Sequence, residues 1–348
     1  MLQASGSPDT GFRRKRFRLT EYFIEKFIMI CAFITLLFIV LIFGFIFHET
    51  SGLFNPPTQS VSSVMEEQET YGEEMLGDIT SVDQPEPAPD GNGTETGKVS
   101  DLLGSQWQPV SSRPQFGLLP LIVGSLKVAG IAIGLAAPIA IMAALYTASF
   151  AGRRMKEIMK PIIEILAGFP SVVIGFFSLT VMASLIQHLF NLDFRLNALT
   201  GGVGLSLAVM PVIYTISEDA LGTVPRSLTE ASLALGARKW ETVLFVILPA
   251  ATPGIFAAVL LGIGRAIGET MIILMATGNA ALTSLNPFEP VRSMSATIGA
   301  EMAEVVFGDF HYSVLFMIGI ILFLFSFGLN MMAEFFIRRK LIRKFRGS

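Results

Sequence analysis

The segment Val224-Pro-Arg-Ser-Leu-Thr-Glu-Ala-Ser-Leu-Ala-Leu-Gly-Ala-Arg-Lys-Trp-Glu-Thr-Val-Leu-Phe-Val-Ile-Leu-Pro249 lies between two stretches apolar enough to cross a bilayer, yet is itself patterned. Ser227 is placed to cap a short helix, Glu230 follows at the capping-box position, and Gly236 suits the left-handed residue that ends such a helix. The spacing predicts a helix, a glycine turn and a second helix that leads into Pro249. Leu228, Ala231 and Leu235 recur at three- and four-residue intervals and give the first helix an apolar stripe. Such a stripe fits a groove on another protein or, alternatively, a helix lying on lipid.

Outward from this segment the chain is a membrane protein. Apolar residues make up 52% of its 348 positions, charged residues only 15%, and Phe alone occupies 29, whereas soluble domains carry about a quarter charged residues. A helix needs about 20 mainly apolar residues to span. Six segments qualify: Phe27 to Phe47, Leu118 to Phe150, Ile162 to Leu189, Leu199 to Ser217, Ala250 to Thr277 and Ser313 to Met332. The first is uncharged, long for a signal-peptide core and not followed by a small-residue cleavage site, so it reads as a retained helix. Pro138, Pro170 and Pro211 read as kinks within spans.

Lys and Arg accumulate on the cytoplasmic side of spans. Arg13, Arg14, Lys15, Arg16 and Arg18 precede the first span; Arg338, Arg339, Lys340, Arg343, Lys344 and Arg346 follow the last. Arg153, Arg154, Lys156 and Lys160, with Arg226, Arg238 and Lys239, fall on the same side. Both termini are therefore expected in the cytoplasm, as an even number of spans requires. Between the first two spans, His48 to Ser112 holds twelve acidic residues and one lysine among Pro, Ser, Gly and Thr. Such sequence cannot bury enough apolar surface to offset its ordering entropy, so it is expected to be external and largely disordered. It serves as a solvated tether or as an electrostatic dock. The resulting organisation is a basic N-terminus 1–26, a first span 27–47, an acidic insert 48–117, a core 118–336 with five spans and the patterned loop 218–249, and a basic tail 337–348.

Within the fifth span, Gly264-Arg265-Ala266-Ile267-Gly268-Glu269 sets opposite charges four residues apart. Ionisable groups at membrane depth usually face a pathway or one another. Arg265 and Glu269, at i and i+4, share a helix face and can meet, which lowers each other's cost of burial, while Gly262, Gly264 and Gly268 admit close approach of a neighbouring helix. Arginine offers a planar fork of donors that fits an oxyanion, and Glu269 would temper binding so that the anion is released. An internal pair that locks spans together is the structural alternative. Lys127 is expected to snorkel, Glu164 to pair with Arg153 or Lys160, and Glu301, Glu304 and His311 to be solvated on the external side.

Other chemistries are absent from the sequence. The single Cys31 excludes an internal disulfide. There is no G-x-x-x-x-G-K-[ST], H-E-x-x-H or G-x-S-x-G, and His48, His188 and His311 are scattered, so no enzyme site and no cofactor are expected. Nor is there a basic surface with interleaved aromatics that would suit nucleic acid.

Glu230-Ala231-Ser232, Gly236 and Val246-Ile247-Leu248-Pro249 resemble the EAA loop of ABC-importer permeases, whose pattern is EAA, three residues, Gly, nine residues and I-x-L-P. Ser232 replaces the third-position Ala, and Val246 the Ile. The wording Gly262-Ile263-Gly264-Arg265-Ala266-Ile267-Gly268-Glu269-Thr270-Met271, with Gly278-Asn279 and His311-Tyr312-Ser313, is similar to phosphate-uptake permeases of the PstC type. The resemblance covers the first span and Phe116 onward. It implies an all-α, six-span permease of the MetI-like type I fold in a bacterial inner membrane. Glu230, Ala231, Gly236, Leu248 and Pro249 would meet a cytoplasmic ATPase dimer of the PstB type. The further partners implied are a sister permease of the PstA type and a periplasmic phosphate-binding protein of the PstS type, with phosphate as cargo. Permeation of another oxyanion or small solute, or ion-coupled secondary transport, are the competing readings. The last would need coupling-ion carboxylates in more than one span.

Overall fold

The computed structural model describes residues 19–51, 53, 102–111 and 113–345. The basic cluster Arg13 to Arg18 and most of the acidic insert lie outside the described residues. Helix α1, Leu19–Ser51, is uninterrupted over 33 residues and contains the expected first span. It holds no proline or glycine except Gly44, and side chains such as Phe27, Phe33 and Phe47 are exposed.

The residues from Glu49 onward form a separate compact unit. Among its described residues five helical stretches are long and apolar enough to cross a membrane: Leu119–Ser149, Ser171–Phe190, Ala198–Gly222, Lys239–Gly268 and Phe310–Phe335. The first is α2, Leu119–Ser149, which runs on through Pro138. Its Ala132, Ala136, Ala140 and Ala144 form a buried row at four-residue spacing, since without a hydrophobic driving force in lipid the helices gain most by close backbone packing. That row faces α6, Ala198–Gly222, which runs on through Pro211. A Cβ on Gly202 would sit 2.5 Å from Ile131 Cγ2, so only glycine permits this approach. Asn197 starts α6 by accepting a hydrogen bond from the Thr200 N–H at 2.9 Å.

The third span departs from expectation. Helix α3, Arg153–Gly168, has no buried residue and ends before Pro170, which disfavours helical backbone in the residue before it. Pro170 is therefore a break, and the span begins at Ser171. It comprises α4, Ser171–Phe177, a π-helical turn Ser178–Met182 and α5, Ala183–Phe190. The Arg195 guanidinium donates to the carbonyls of Leu179 at 2.7 Å and Thr180 at 3.4 Å, supplying donors where the widened turn alters the ladder. Glu164 pairs with neither expected partner: Arg153 binds Glu157 at 3.0 Å, and Lys160 binds Glu218 at 2.9 Å.

The loop after α6 carries α7, Arg226–Ala234, and α8, Lys239–Thr242. A π-helical turn Val243–Ile247 joins α8 to α9, Leu248–Gly268, which is followed by α10, Met271–Ala276, α11, Met294–Glu301, and α12, Phe310–Phe345. Helix α9 packs on α6 and α12. At Gly262 a Cβ would come within 2.7 Å of Ile213 Cγ1, whereas Gly264 and Gly268 have room. Of the three glycines expected to admit a neighbour, only Gly262 does. Helix α12 continues past the last span as far as Phe345.

At the opposite end of the spans, the described end of the insert is ordered. Strands β1, Trp107–Gln108, and β2, Gln115–Phe116, form a hairpin that buries Trp107 and Phe116. The Trp107 indole N–H donates to Glu301 Oε1 at 3.0 Å, Arg292 Nη1 lies 2.6 Å from the same oxygen, and His311 Nε2 lies 2.9 Å from Oε2. Arg292 Nε also donates to Asn279 Oδ1 at 3.0 Å. Gly278 and Asn279 take the left-handed backbone conformation that lets this loop turn back, with φ of 77° and 49°. Glu301 is 9% exposed, so Glu301 and His311 are not a solvated pair. They close one wall of an 850 Å³ cavity shared with Glu304 and Asp309. The Lys127 ammonium reaches the loop at the end of the spans, where it donates to the carbonyls of Ser284 at 2.8 Å and Asn286 at 3.0 Å.

Burial opposes ionisation of Glu301, but the hydrogen bonds from His311 and Trp107 and the Arg292 charge outweigh it and hold the carboxyl below its usual range. Its folded value lies below its unfolded one, so the stability it contributes is present above the ordinary carboxylate range and is lost as pH falls through the lowered value. Thermal melts of the detergent-solubilised protein across pH 3–6 are expected to decline on the acid side, and Glu301→Gln is expected to flatten that decline and to cost about 3 kcal/mol at neutral pH. Gly262→Ala should lower stability by about 1–3 kcal/mol through overpacking against Ile213, whereas Gly268→Ala should leave the melt unchanged.

Candidate functional site

Two groups of residues singled out by the sequence lie at the two ends of one helix. The first is the hairpin of α7 and α8. Helix α7 starts one residue after Pro225, so Ser227 lies inside the first turn and is not its cap, and Glu230 closes no capping box there. The capping contact belongs to α8, where the Glu241 carboxylate accepts from the Arg238 N–H at 2.6 Å. Gly236 ends α7 as expected, with φ of 88°. Its N–H donates to Leu233 O at 3.0 Å and the Ala237 N–H to Ser232 O at 3.2 Å, the paired bonds of a Schellman turn. A Cβ at Gly236 would meet nothing, so the demand for glycine there is conformational and not steric.

Ser232, the departure from the EAA pattern, lies 3.0 Å from Thr242 Oγ1 and ties α7 to α8. Glu230 and Ala231 are exposed, and the apolar stripe stays outside the core, with Leu228 38% and Leu235 89% exposed. At the foot of α6 the Lys160–Glu218 contact joins α3 to the hairpin's approach, and the hydrogen bond to Glu218 raises the lysine's affinity for its proton.

Leu248 and Pro249 begin α9. Pro249 cannot donate to the carbonyl four residues earlier, and its ring crowds that position. The π-helical turn over Val243–Ile247 sits where that conflict falls and lets the helix continue from Lys239 to Gly268. The hairpin and the charged end of the span are thus joined by unbroken helix, with Leu248 and Arg265 about 26 Å apart at 1.5 Å per residue.

At that far end the expected pairing is not formed. Helix α9 stops at Gly268, Glu269 is extended with φ of −73° and ψ of 129°, and the two side chains do not share a helical face. Among the described residues Arg265 has neither an ion-pair nor a hydrogen-bond partner; it is exposed in the last turn, where a cation complements the helix dipole. Glu269 is half-buried, and its main-chain carbonyl accepts from Ser295 Oγ at 2.7 Å. Non-helical backbone at membrane depth is tolerated only where protein buries it or a water-filled cavity adjoins it. The Ser295 contact meets that condition.

Sequence reasoning missed the Glu301 cluster, although Gly278-Asn279 and His311, which carry part of the resemblance, converge on it. Trp107 and Glu301 are 194 positions apart, and no local pattern joins them. Among the described residues, the hydroxyls of Tyr214 and Ser217 on α6 are buried without a partner.

Residues 136–342 match the family described as binding-protein-dependent transport system inner membrane component. The chain is 35% identical over 229 residues to a probable ABC transporter permease protein, YqgH, of Bacillus subtilis, covering 66% of this chain and 74% of that protein. It is 32% identical over 259 residues to the phosphate transport system permease protein PstC of Mesorhizobium japonicum, covering 69% and 78%, and 33% identical over 243 residues to the protein of the same name in Haemophilus influenzae, covering 64% and 76%. The patterned hairpin, the apolar helices and a family match over most of the core make this chain a multi-pass inner membrane permease component of a binding-protein-dependent transport system, a transport protein and not an enzyme.

Proposed function

We propose that the chain is the permease subunit of an ATP-driven importer of inorganic phosphate, forming the pathway with a sister permease of the PstA type. A PstB-type ATPase dimer and a PstS-type binding protein complete the assembly. The names of the Mesorhizobium and Haemophilus relatives support phosphate as the cargo. The observation that carries the reading is Arg265: a permanent cation in the last turn of a membrane helix, exposed and with no partner among the described residues. A charge in that position is stable only beside water, an anion or a second polypeptide, and a pathway lined jointly with a sister permease supplies all three. Its guanidinium fork matches phosphate oxygens, and Glu269, one residue beyond the helix, sets a negative charge nearby that keeps binding reversible.

Both termini and the hairpin face the cytoplasm in this reading, where the exposed Leu228, Ala231 and Leu235 enter a groove of the ATPase. ATPase closure displaces the hairpin, and α9 transmits the displacement because its helical ladder continues through Pro249. Glu230 and Gly236 set the contact, and Leu248 with Pro249 the joint.

Arg265→Ala is expected to abolish phosphate uptake in cells while the complex still copurifies and its ATPase remains inducible by loaded binding protein; failed assembly would mean that the residue holds spans together. Gly236→Val, which forces a β-branched residue into the left-handed region, is expected to lower ATPase copurification severalfold, and normal copurification would count against the coupling role.

A further inference from the structure

The geometry points to a binding site for a phosphate-bearing anion in a 460 Å³ cavity between the ends of α2 and α6 and the α7–α8 hairpin. Three cations line it, Lys156, Arg226 and Lys239, and no carboxylate does. Like charges gathered around one cavity repel one another, and the arrangement is relieved by a shared anion or by internal carboxylates. Two nearby carboxylates are engaged elsewhere, Glu218 by Lys160 at 2.9 Å and Glu241 by the Arg238 N–H at 2.6 Å. Among the described residues none of the three cations forms an ion pair. Lys156 Nζ donates to Ala148 O at 3.2 Å, Lys239 Nζ lies 5.6 Å from the centre of the Phe150 ring, and Arg226 has no side-chain partner.

The rest of the lining divides in a way that suits an amphiphile or a small oxyanion. Thr229 and Ser149 add hydroxyls, while Leu221 and Ile247 form an apolar wall. The volume lies in the ordinary range for ligand cavities, and the position, where the spans at Ser149 and Gly222 end, is the level of lipid headgroups. One chemistry has two sources there: the phosphodiester of an anionic lipid, or free orthophosphate. Arg226 opens α7 and Lys239 opens α8, so an anion held between them bridges both helices of the hairpin and fixes their mutual position. This site is separate from Arg265 and does not depend on the cargo proposed above.

The test uses the full chain in its assembled detergent-solubilised complex. Retention of phosphatidylglycerol and of phosphatidylcholine is read by native mass spectrometry, and orthophosphate binding by equilibrium dialysis, the latter also in Arg265→Ala so that pathway binding is removed. The expected result is that phosphatidylglycerol or orthophosphate binds, phosphatidylcholine does not, and Arg226→Gln and Lys239→Gln each weaken binding about tenfold, as loss of one charge-assisted hydrogen bond predicts. Lys127→Gln, at the opposite end of the spans, leaves binding unchanged. Phosphatidylglycerol binding alone identifies a lipid site, and orthophosphate binding that persists in Arg265→Ala identifies a free-anion site. Binding of neither, equal binding by wild type and the cavity variants, or loss of ATPase copurification in Arg226→Gln with anion binding intact each overturns the proposal, the last by assigning the cations to the ATPase contact. A transport-competent Arg265→Ala would sink the pathway reading and leave this one standing.

Discussion

Hydrocarbon offers no partner to a backbone N–H or C=O, so each interruption of a membrane helix has to be satisfied by the protein itself. That constraint accounts for the unusual features of this permease. At Ser178–Met182 the helix widens to a π turn, and Arg195 donates to its carbonyls. At Val243–Ile247 a second π turn accommodates Pro249 without ending the helix. At Glu269 the helix does end, and Ser295 takes up the main-chain carbonyl. The π turn before Pro249 and the break at Glu269 lie at the two ends of α9.

Continuity between them gives the hairpin mechanical meaning. Helix α7 is short, has no buried residue and is held to α8 by a glycine turn and the Ser232–Thr242 contact, next to the foot of α9. Gly262 seats α9 against Ile213 and Val209 of α6, and the alanine row of α2 backs α6 in turn. Close-packed interiors transmit displacement because they cannot be compressed locally. At the other end of the spans, Glu301 joins the hairpin of the insert, the Gly278–Val291 loop, α11 and α12, giving that face a fixed frame.

The spans and the hairpin were legible in the sequence because length, hydropathy and a positive-φ glycine are local signals. Span boundaries were less so: Ile162 and Ile165 look like membrane residues by composition, but they sit on an exposed helix that Pro170 separates from the span. The Arg265 and Glu269 spacing suggested a shared face only on the assumption of a continuous helix, and Gly268 followed by extended backbone removes it. Ser227 was a plausible cap, but Pro225 opens the helix earlier. The Glu301 network could not be read from the chain at all, since its members come from four distant segments and acquire meaning only through burial.

The central claim is that the exposed end of α7 is the surface on which the ATPase pushes. It is tested most directly by placing a single cysteine at Leu235, which is 89% exposed, in a Cys31→Ser background and crosslinking the assembled transporter in membranes. The account predicts an ATPase adduct that blocks uptake and shielding of the cysteine from an impermeant thiol reagent added outside intact cells. Labelling from outside, with no ATPase adduct, would contradict it.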